Sequence, residues 1–274
     1  MYRYIYTSPS GDRFDLTSRR TSPIYLQKGG LKGLVGQIKA ATTTSLLSPG
    51  QQVTSIQIEQ MSGSLTVWIR PGREHSIQDL RARWAQALST FTPGTLTVIG
   101  PTLGALSARV RLVELPDPPE QNPTSRRHID EQTVQLVADE GLWWTSRLQS
   151  PPATTSPVTV EITNPGATTI HPRLWAAAGT TAKVRLPSGR TVDLAVPGGD
   201  GYARGRWLLM DPAESYAVVD SDDVLDEALW RSTRDGVVAE SIPRGQSRTY
   251  RIERVSGPGE VRLEWQAGLL TPWI

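Results

Sequence analysis

Val158-Thr159-Val160-Glu161-Ile162 and, near the other end of the chain, Val261-Arg262-Leu263-Glu264-Trp265 alternate apolar and polar residues one by one. Successive side chains of a strand point to opposite faces, so this period of two predicts half-buried strands with one dry and one wet side. The pattern recurs at Ile56 and Ile58, at Leu65, Val67 and Ile69, at Val110 and Leu112, at Val184 and Leu186, and at Val192, Leu194 and Val196. It predicts antiparallel sheets, each with one face against a core. Most of the 24 glycines and 21 prolines fall between these runs, and Pro187-Ser188-Gly189-Arg190 joins two of them as a hairpin turn would.

One segment breaks the pattern. Ser76 can cap a helix, Asp79 stands three residues later, and Ile77, Leu80, Trp84 and Leu88 share one helical face, which predicts a helix over Ser76–Leu88. A shorter helix is expected over Asp222–Trp230, with Val224, Leu225, Ala228 and Leu229 facing inward behind an acidic first turn. The Pro-rich run Pro116–Pro123 reads as a loop, because Thr133–Val137 resumes a strand pattern. No repeat of solenoid or propeller length is evident.

At 274 residues the chain is long enough for two domains. The stretch Gln149-Ser150-Pro151-Pro152-Ala153-Thr154-Thr155-Ser156-Pro157 lacks large apolar groups and is stiffened by proline, so the boundary is expected there. The expected domains are 1–150 and 157–274. Proteases are expected to enter that linker first and to leave two fragments.

With no cysteine, the chain has no disulfide, no thiolate metal site and no cysteine nucleophile. No apolar run approaches the length of a membrane span, and Met1-Tyr2-Arg3-Tyr4-Ile5-Tyr6 lacks the apolar core of a signal peptide. The expectation is a chain made in cytoplasm, with no membrane partner. Lys and Arg number 16 against 12 Asp and Glu before residue 151, and 13 against 15 after it, with arginines interleaved among acids. Neither half offers the basic block that counterion-release binding to nucleic acid requires.

Candidate chemistry is sparse. His75, His128 and His171 do not share a helical face as metal-gripping pairs do. His171, beside Pro172, reads as a base or, more simply, as a turn histidine. Gln27-Lys28-Gly29-Gly30-Leu31-Lys32-Gly33-Leu34-Val35-Gly36 lacks the Gly-Lys-Ser/Thr ending of a phosphate loop and reads as a flexible or tight loop; Gly198-Gly199-Asp200-Gly201 lacks dinucleotide spacing. Asp220, Asp222, Asp223, Asp226 and Glu227 match no complete calcium loop and read as a solvated loop or helix start. No catalytic, cofactor-binding or metal-binding residue is expected. Of nine tryptophans, Trp84 and Trp265 fall on core faces, while Trp143, Trp144 and Trp273 are the interface candidates.

The order of elements resembles a known family. Gly11-Asp12-Arg13-Phe14-Asp15-Leu16, the Gly-rich segment, Leu65–Arg70, the Ser76–Leu88 helix, Pro93-Gly94-Thr95-Leu96-Thr97-Val98 and Ala108-Arg109-Val110-Arg111-Leu112 together resemble the belt domain of siphophage distal tail proteins. Val158–Asn164, Gly205-Arg206-Trp207-Leu208-Leu209-Met210-Asp211, Ile242-Pro243-Arg244-Gly245 and Val261–Gly268 look like landmarks of that family's galectin-like C-terminal sandwich. The resemblance implies a mainly β fold with one clear helix: an N-terminal β-sandwich belt carrying the helix, followed by a galectin-like antiparallel β-sandwich. It implies a non-enzymatic virion protein at the phage tail tip. Such a protein forms a ring, usually hexameric, with copies of itself and joins the tail tube protein to the tail-tip hub, with the tape-measure protein as a further candidate partner. Some members of such families carry carbohydrate-binding insertions, and residues 157–274 leave room for one small sandwich only. The alternative reading is a carbohydrate-binding or adhesion protein that stacks sugars on Trp143, Trp144 or Trp175. A polysaccharide-cleaving enzyme using two of the acids between Asp220 and Glu227 is a third.

Overall fold

The computed structural model describes residues 2–20, 22–45, 48–72, 74–114, 129–238 and 240–273. The expected Pro116–Pro123 loop and His128 lie outside the described residues. The chain divides into two compact units, Met1–Ser146 with Leu269–Ile274, and Arg147–Gly268. Both are mainly β, as the alternation predicts.

The first unit begins with β1 (Arg3–Thr7) and β2 (Arg13–Asp15), then β3 (Ile24–Gly33), β4 (Gln37–Ser45), β5 (Ser48–Glu59) and β6 (Met61–Ile69). The helix α1 (Ile77–Ala87) follows, then β7 (Gly94–Gly100), β8 (Gly104–Leu112), β9 (Asp130–Ala138) and β10 (Trp143–Thr145). The main sheet runs β2-β1-β7-β8-β9-β6-β3 and is antiparallel at each described pairing. β8 turns the corner: Gly104–Val110 pair with β7, whereas Arg111 and Leu112 pair with β9. The sheet rolls up until its two ends meet, where Leu26 N of β3 donates to Leu16 O just after β2 at 2.8 Å. Rolling hides the edges that an open sheet would expose.

Inside the roll lie Leu65, Val67 and Ile69, Leu96 and Val98, Leu106, Ala108, Val110 and Leu112, and Val134 and Leu136. These are the apolar positions of the alternating runs. The helix closes the core with Ile77, Leu80, Trp84 and Ala87. Its start is the expected capping box: Asp79 N donates to Ser76 Oγ and Ser76 N to Asp79 Oδ2, each at 3.2 Å. The Ser76 hydroxyl, which also donates to Asp79, holds that carboxyl below its usual range, with the Ser76 backbone N–H adding to the effect. At the other end Tyr6 Oη donates to Ala87 O at 2.9 Å, satisfying a terminal carbonyl, and burial pushes the Tyr6 phenol up to about 12.

The second unit contains β11 (Leu148–Gln149), β12 (Val158–Thr163), β13 (Arg173–Ala176), β14 (Thr181–Arg185), β15 (Thr191–Ala195), β16 (Arg206–Leu209), β17 (Val218–Val219), the helix α2 (Glu227–Thr233), β18 (Ser247–Ser256) and β19 (Val261–Trp265). A four-stranded sheet β12-β18-β14-β15 and a five-stranded sheet β11-β19-β13-β16-β17 share one core. Val160, Ile162, Val184, Leu194 and Ile252 meet Leu174, Leu208, Val261 and Leu263 there, which is the packing of a β-sandwich. The predicted turn at Pro187–Arg190 is present: Leu186 N donates to Arg190 O at 2.8 Å and Gly189 takes φ +89°.

Three boundaries differ from expectation. The break falls after Ser146, not within the stretch of residues 149–157, because β11 already pairs with β19. The Pro-rich stretch is pinned to β19: Ser150 N donates to Leu263 O at 2.9 Å, and Ala153 exchanges two backbone bonds with Val261 and is fully buried. A side chain as small as that of Ala153 fits a core slot that composition alone reads as linker. The last residues, from Leu269 on, return to the first unit, where Leu269 joins the core and Leu270 O accepts from Gly36 N at 2.7 Å. The second helix also starts later than expected. Val224 and Leu225 are exposed ahead of it, Asp226 caps it through Leu229 N, and of the four expected inward residues only Leu229 is buried.

Candidate functional site

Of the residues singled out for chemistry, Asp220, Asp222, Asp226 and Glu227 are engaged in structural roles, whereas Asp223 and His171 line a cleft of the second unit, His171 with its Nδ1 buried and without a partner among the described residues. Asp220 accepts from Asp222 N at 2.8 Å and Val224 N at 3.0 Å, and these backbone bonds, with the Val224 bond the stronger influence, hold its carboxyl below the usual range. Asp222 meets Arg204 at 3.2 Å on the surface. Asp226 caps α2 and pairs with Arg206 at 2.9 Å, both side chains largely buried, and Glu227 pairs with Arg231 one helical turn later. Among the described residues no group of three or more His, Asp or Glu could hold a metal.

The Gly-rich segment is part of β3 as far as Gly33, with a bulge between the Leu26↔Val67 and Leu31↔Leu65 pairs, and residues 34–36 lie beyond the strand. Two of its glycines are required by close backbone approach: a Cβ on Gly30 would stand 2.5 Å from Thr66 O, and one on Gly33, which also takes φ +70°, would stand 2.5 Å from Ser62 O. Gly199 opens a short turn at φ +114°.

Of the three interface tryptophans, Trp143 must be corrected. It is wholly buried in the first unit's core, with Nε1 donating to Leu34 O at 2.8 Å, so it offers nothing to a partner. Two apolar surfaces of equal size in one Trp-Trp pair face opposite sides of β10, and sequence does not say which side is wet. Trp144 takes the outer side and donates to Glu140 at 2.6 Å. Trp273 is 38% exposed and rests edge-on against Tyr2, ring centroids 5.5 Å apart. Trp175, the proposed stacking platform, is already covered by the Arg262 guanidinium at 4.4 Å.

The feature that sequence reading missed is the pair β4 and β5. They form a separate two-stranded antiparallel ribbon from Gln37↔Glu59 to Ser45↔Ser48, with both outer edges unpaired among the described residues. At about 3.3 Å per residue it is roughly 30 Å long. Its register sorts the side chains by face. Ile38 stands opposite Ile58, Ala40 opposite Ile56 and Thr42 opposite Val53; on the other face Gln37 stands opposite Glu59 and Lys39 opposite Gln57. Lys39 and Glu59 pair at 3.3 Å. The alternation around Ile56 and Ile58 does mark a strand, yet the apolar face is bare: Ile38 is 42%, Val53 57% and Ile56 66% exposed. Two-stranded ribbons are at best marginal in water, and contiguous exposed apolar side chains mark contact surfaces. A second missed anchor is Phe91, 92% exposed at the tip of a turn in which Ser89 Oγ accepts from Phe91 N at 3.1 Å and Thr92 N at 3.0 Å.

No protein-family model and no curated protein matches this chain. Solved structures do. It is similar to the SPP1 Dit (gp 19.1) protein, described as a paradigm of the hub adsorption apparatus in phages infecting Gram-positive bacteria, at 13% identity and TM-score 0.59, covering 98% of this chain and 99% of that one. It is also similar to a chain of the phage P2 baseplate in its activated conformation with Ca, at 12% identity and TM-score 0.54, covering 97% and 98%. The same baseplate with Sr gives 11% identity and TM-score 0.51, covering 96% and 98%. From end to end, and through both units, the chain therefore has the fold of a Dit-like distal tail protein.

Proposed function

We propose that this chain is a structural protein of a long, non-contractile phage tail, in which copies close into a ring that joins the tail tube to the tail-tip hub. The observation that carries the proposal is the end-to-end likeness to the SPP1 Dit protein, of a phage hub adsorption apparatus, and to the phage P2 baseplate chain. The β4–β5 ribbon supplies a physical reason for assembly. A ring lets β4 of one copy lie beside β5 of the next, which removes every open edge at once, and only a closed arrangement of identical chains does so. A ring that also lays the face with Ile38, Val53 and Ile56 against neighbouring chains, with Gln37, Lys39, Gln57 and Glu59 left in water, buries the apolar side as well. Covering side chains that are about half exposed contributes roughly 1 kcal/mol each, repeated at every seam. The role is architectural, and the partners are further copies, the tube protein and the hub, with the tape-measure protein as a further candidate.

Antibody against the purified chain, gold-labelled and applied to intact phage particles, tests the location. Gold clustered at the end of the tail away from the capsid is the expected result; gold along the tail shaft or on the capsid contradicts it.

A further inference from the structure

The second unit has an open cleft of about 620 Å³ across the outer face of its five-stranded sheet, at the edge formed by β16 and β17. Its apolar lining is Pro172, Leu209, Met210, Ala217, Val219 and Leu225. One wall is cationic. Arg173 donates through Nε to Glu264 Oε1 at 2.7 Å and lies over the Trp207 ring at 4.1 Å, while Arg147 reaches the same Oε1 at 3.3 Å. Glu264 is only 3% exposed and also accepts from Gln149 Nε2 at 2.8 Å, so a buried carboxylate fixes the donor wall in place. The cleft is also lined by Glu214 and Asp223, exposed carboxylates that have no side-chain hydrogen bond or ion pair among the described residues.

These walls define the occupant. The lining sets the carboxylates of Asp211, Glu214 and Asp223 beside His171 and two arginines whose charge Glu264 already shares, which disfavours an anion. Fixed donors and free acceptors set among apolar side chains suit a neutral molecule that has hydroxyls around its rim and C–H groups on its face. We propose that this cleft binds a neutral saccharide, with the guanidinium wall donating to ring and hydroxyl oxygens and Glu214 and Asp223 accepting from hydroxyls. The volume suits one to three sugar rings, since small-ligand sites span roughly 300–1,000 Å³. The site uses the sandwich's own residues and needs no inserted domain. It does not depend on ring formation.

The test titrates the full chain with maltotriose, cellotriose and the trimer of N-acetylglucosamine, with inorganic phosphate and an Arg-Gly-Arg peptide run alongside. Two variants accompany the wild type: Glu214→Gln combined with Asp223→Asn, which removes the acceptor charges, and Ala217→Arg, which fills the cleft. Melting temperature verifies that each variant folds. Saturable binding of at least one trisaccharide at about 1 mM or tighter, weakened about tenfold or more in the carboxamide variant, supports the proposal. It is overturned if no trisaccharide binds, if binding survives unchanged in both variants, or if only phosphate or the peptide binds.

Discussion

Two tryptophans show how little residue type alone decides. Trp84 and Trp143 are both fully buried in the first unit, but the indole N–H of Trp143 has Leu34 O as its acceptor whereas that of Trp84 has none among the described residues. Trp84 was legible from its place on the helix face; Trp143 was not, because its doublet with Trp144 straddles a strand. The difference predicts unequal costs for the same substitution. Trp84→Phe removes an unsatisfied buried donor, worth about 1–3 kcal/mol, which offsets most of the packing lost with the smaller ring. Trp143→Phe loses packing of the same kind and also strands a buried carbonyl. Denaturant titration should place Trp84→Phe within about 1 kcal/mol of wild type and Trp143→Phe about 2 kcal/mol or more below it. Equal losses, or the reverse order, would show that the orphaned N–H of Trp84 is not what distinguishes the sites.

At the scale of elements, the sequence was most readable where one local signal was sufficient. The α1 capping box and apolar face gave its position to within a residue of the observed Ile77–Ala87, and the Pro187–Arg190 turn lies between strands as expected. Reading failed where tertiary contact decides. β1 lies in residues that draw attention only for lacking a leader's apolar core, and β4 in Ala40-Ala41-Thr42-Thr43-Thr44, which has no alternation to see. The proline-rich stretch is the most instructive failure, since its backbone bonds to β19 make it part of the second unit's sheet. Its exposed part, from Thr154 to Pro157, has no Lys or Arg, so trypsin passes it by while a broad-specificity protease can cut there. Because Ser150 and Ala153 are held by the second unit and the residues from Leu269 onward by the first, the cut chain should not part into two bodies. It should elute as one species in native buffer and as two in urea. Two native species would mean that neither tether holds.

For the whole molecule, the family likeness was legible from the order of elements alone, and the end-to-end structural similarity agrees with it at only 13% and 12% identity. What the sequence did not disclose is the surface that would do the work, because a bare amphipathic ribbon and a half-buried strand share the same alternation; only the absence of packing over Ile38, Val53 and Ile56 separates them. A ring built on that surface has a direct signature in mass. Mass photometry of the purified chain, alone and with its tube and hub proteins, should show a closed oligomer at a single integer multiple of 30.0 kDa. The Ile38→Asp, Ile56→Asp variant should fall to monomer with its melting temperature little changed. A wild-type chain that stays monomeric even with tube and hub present would contradict the account, and a variant that still closes would move the seam off the ribbon.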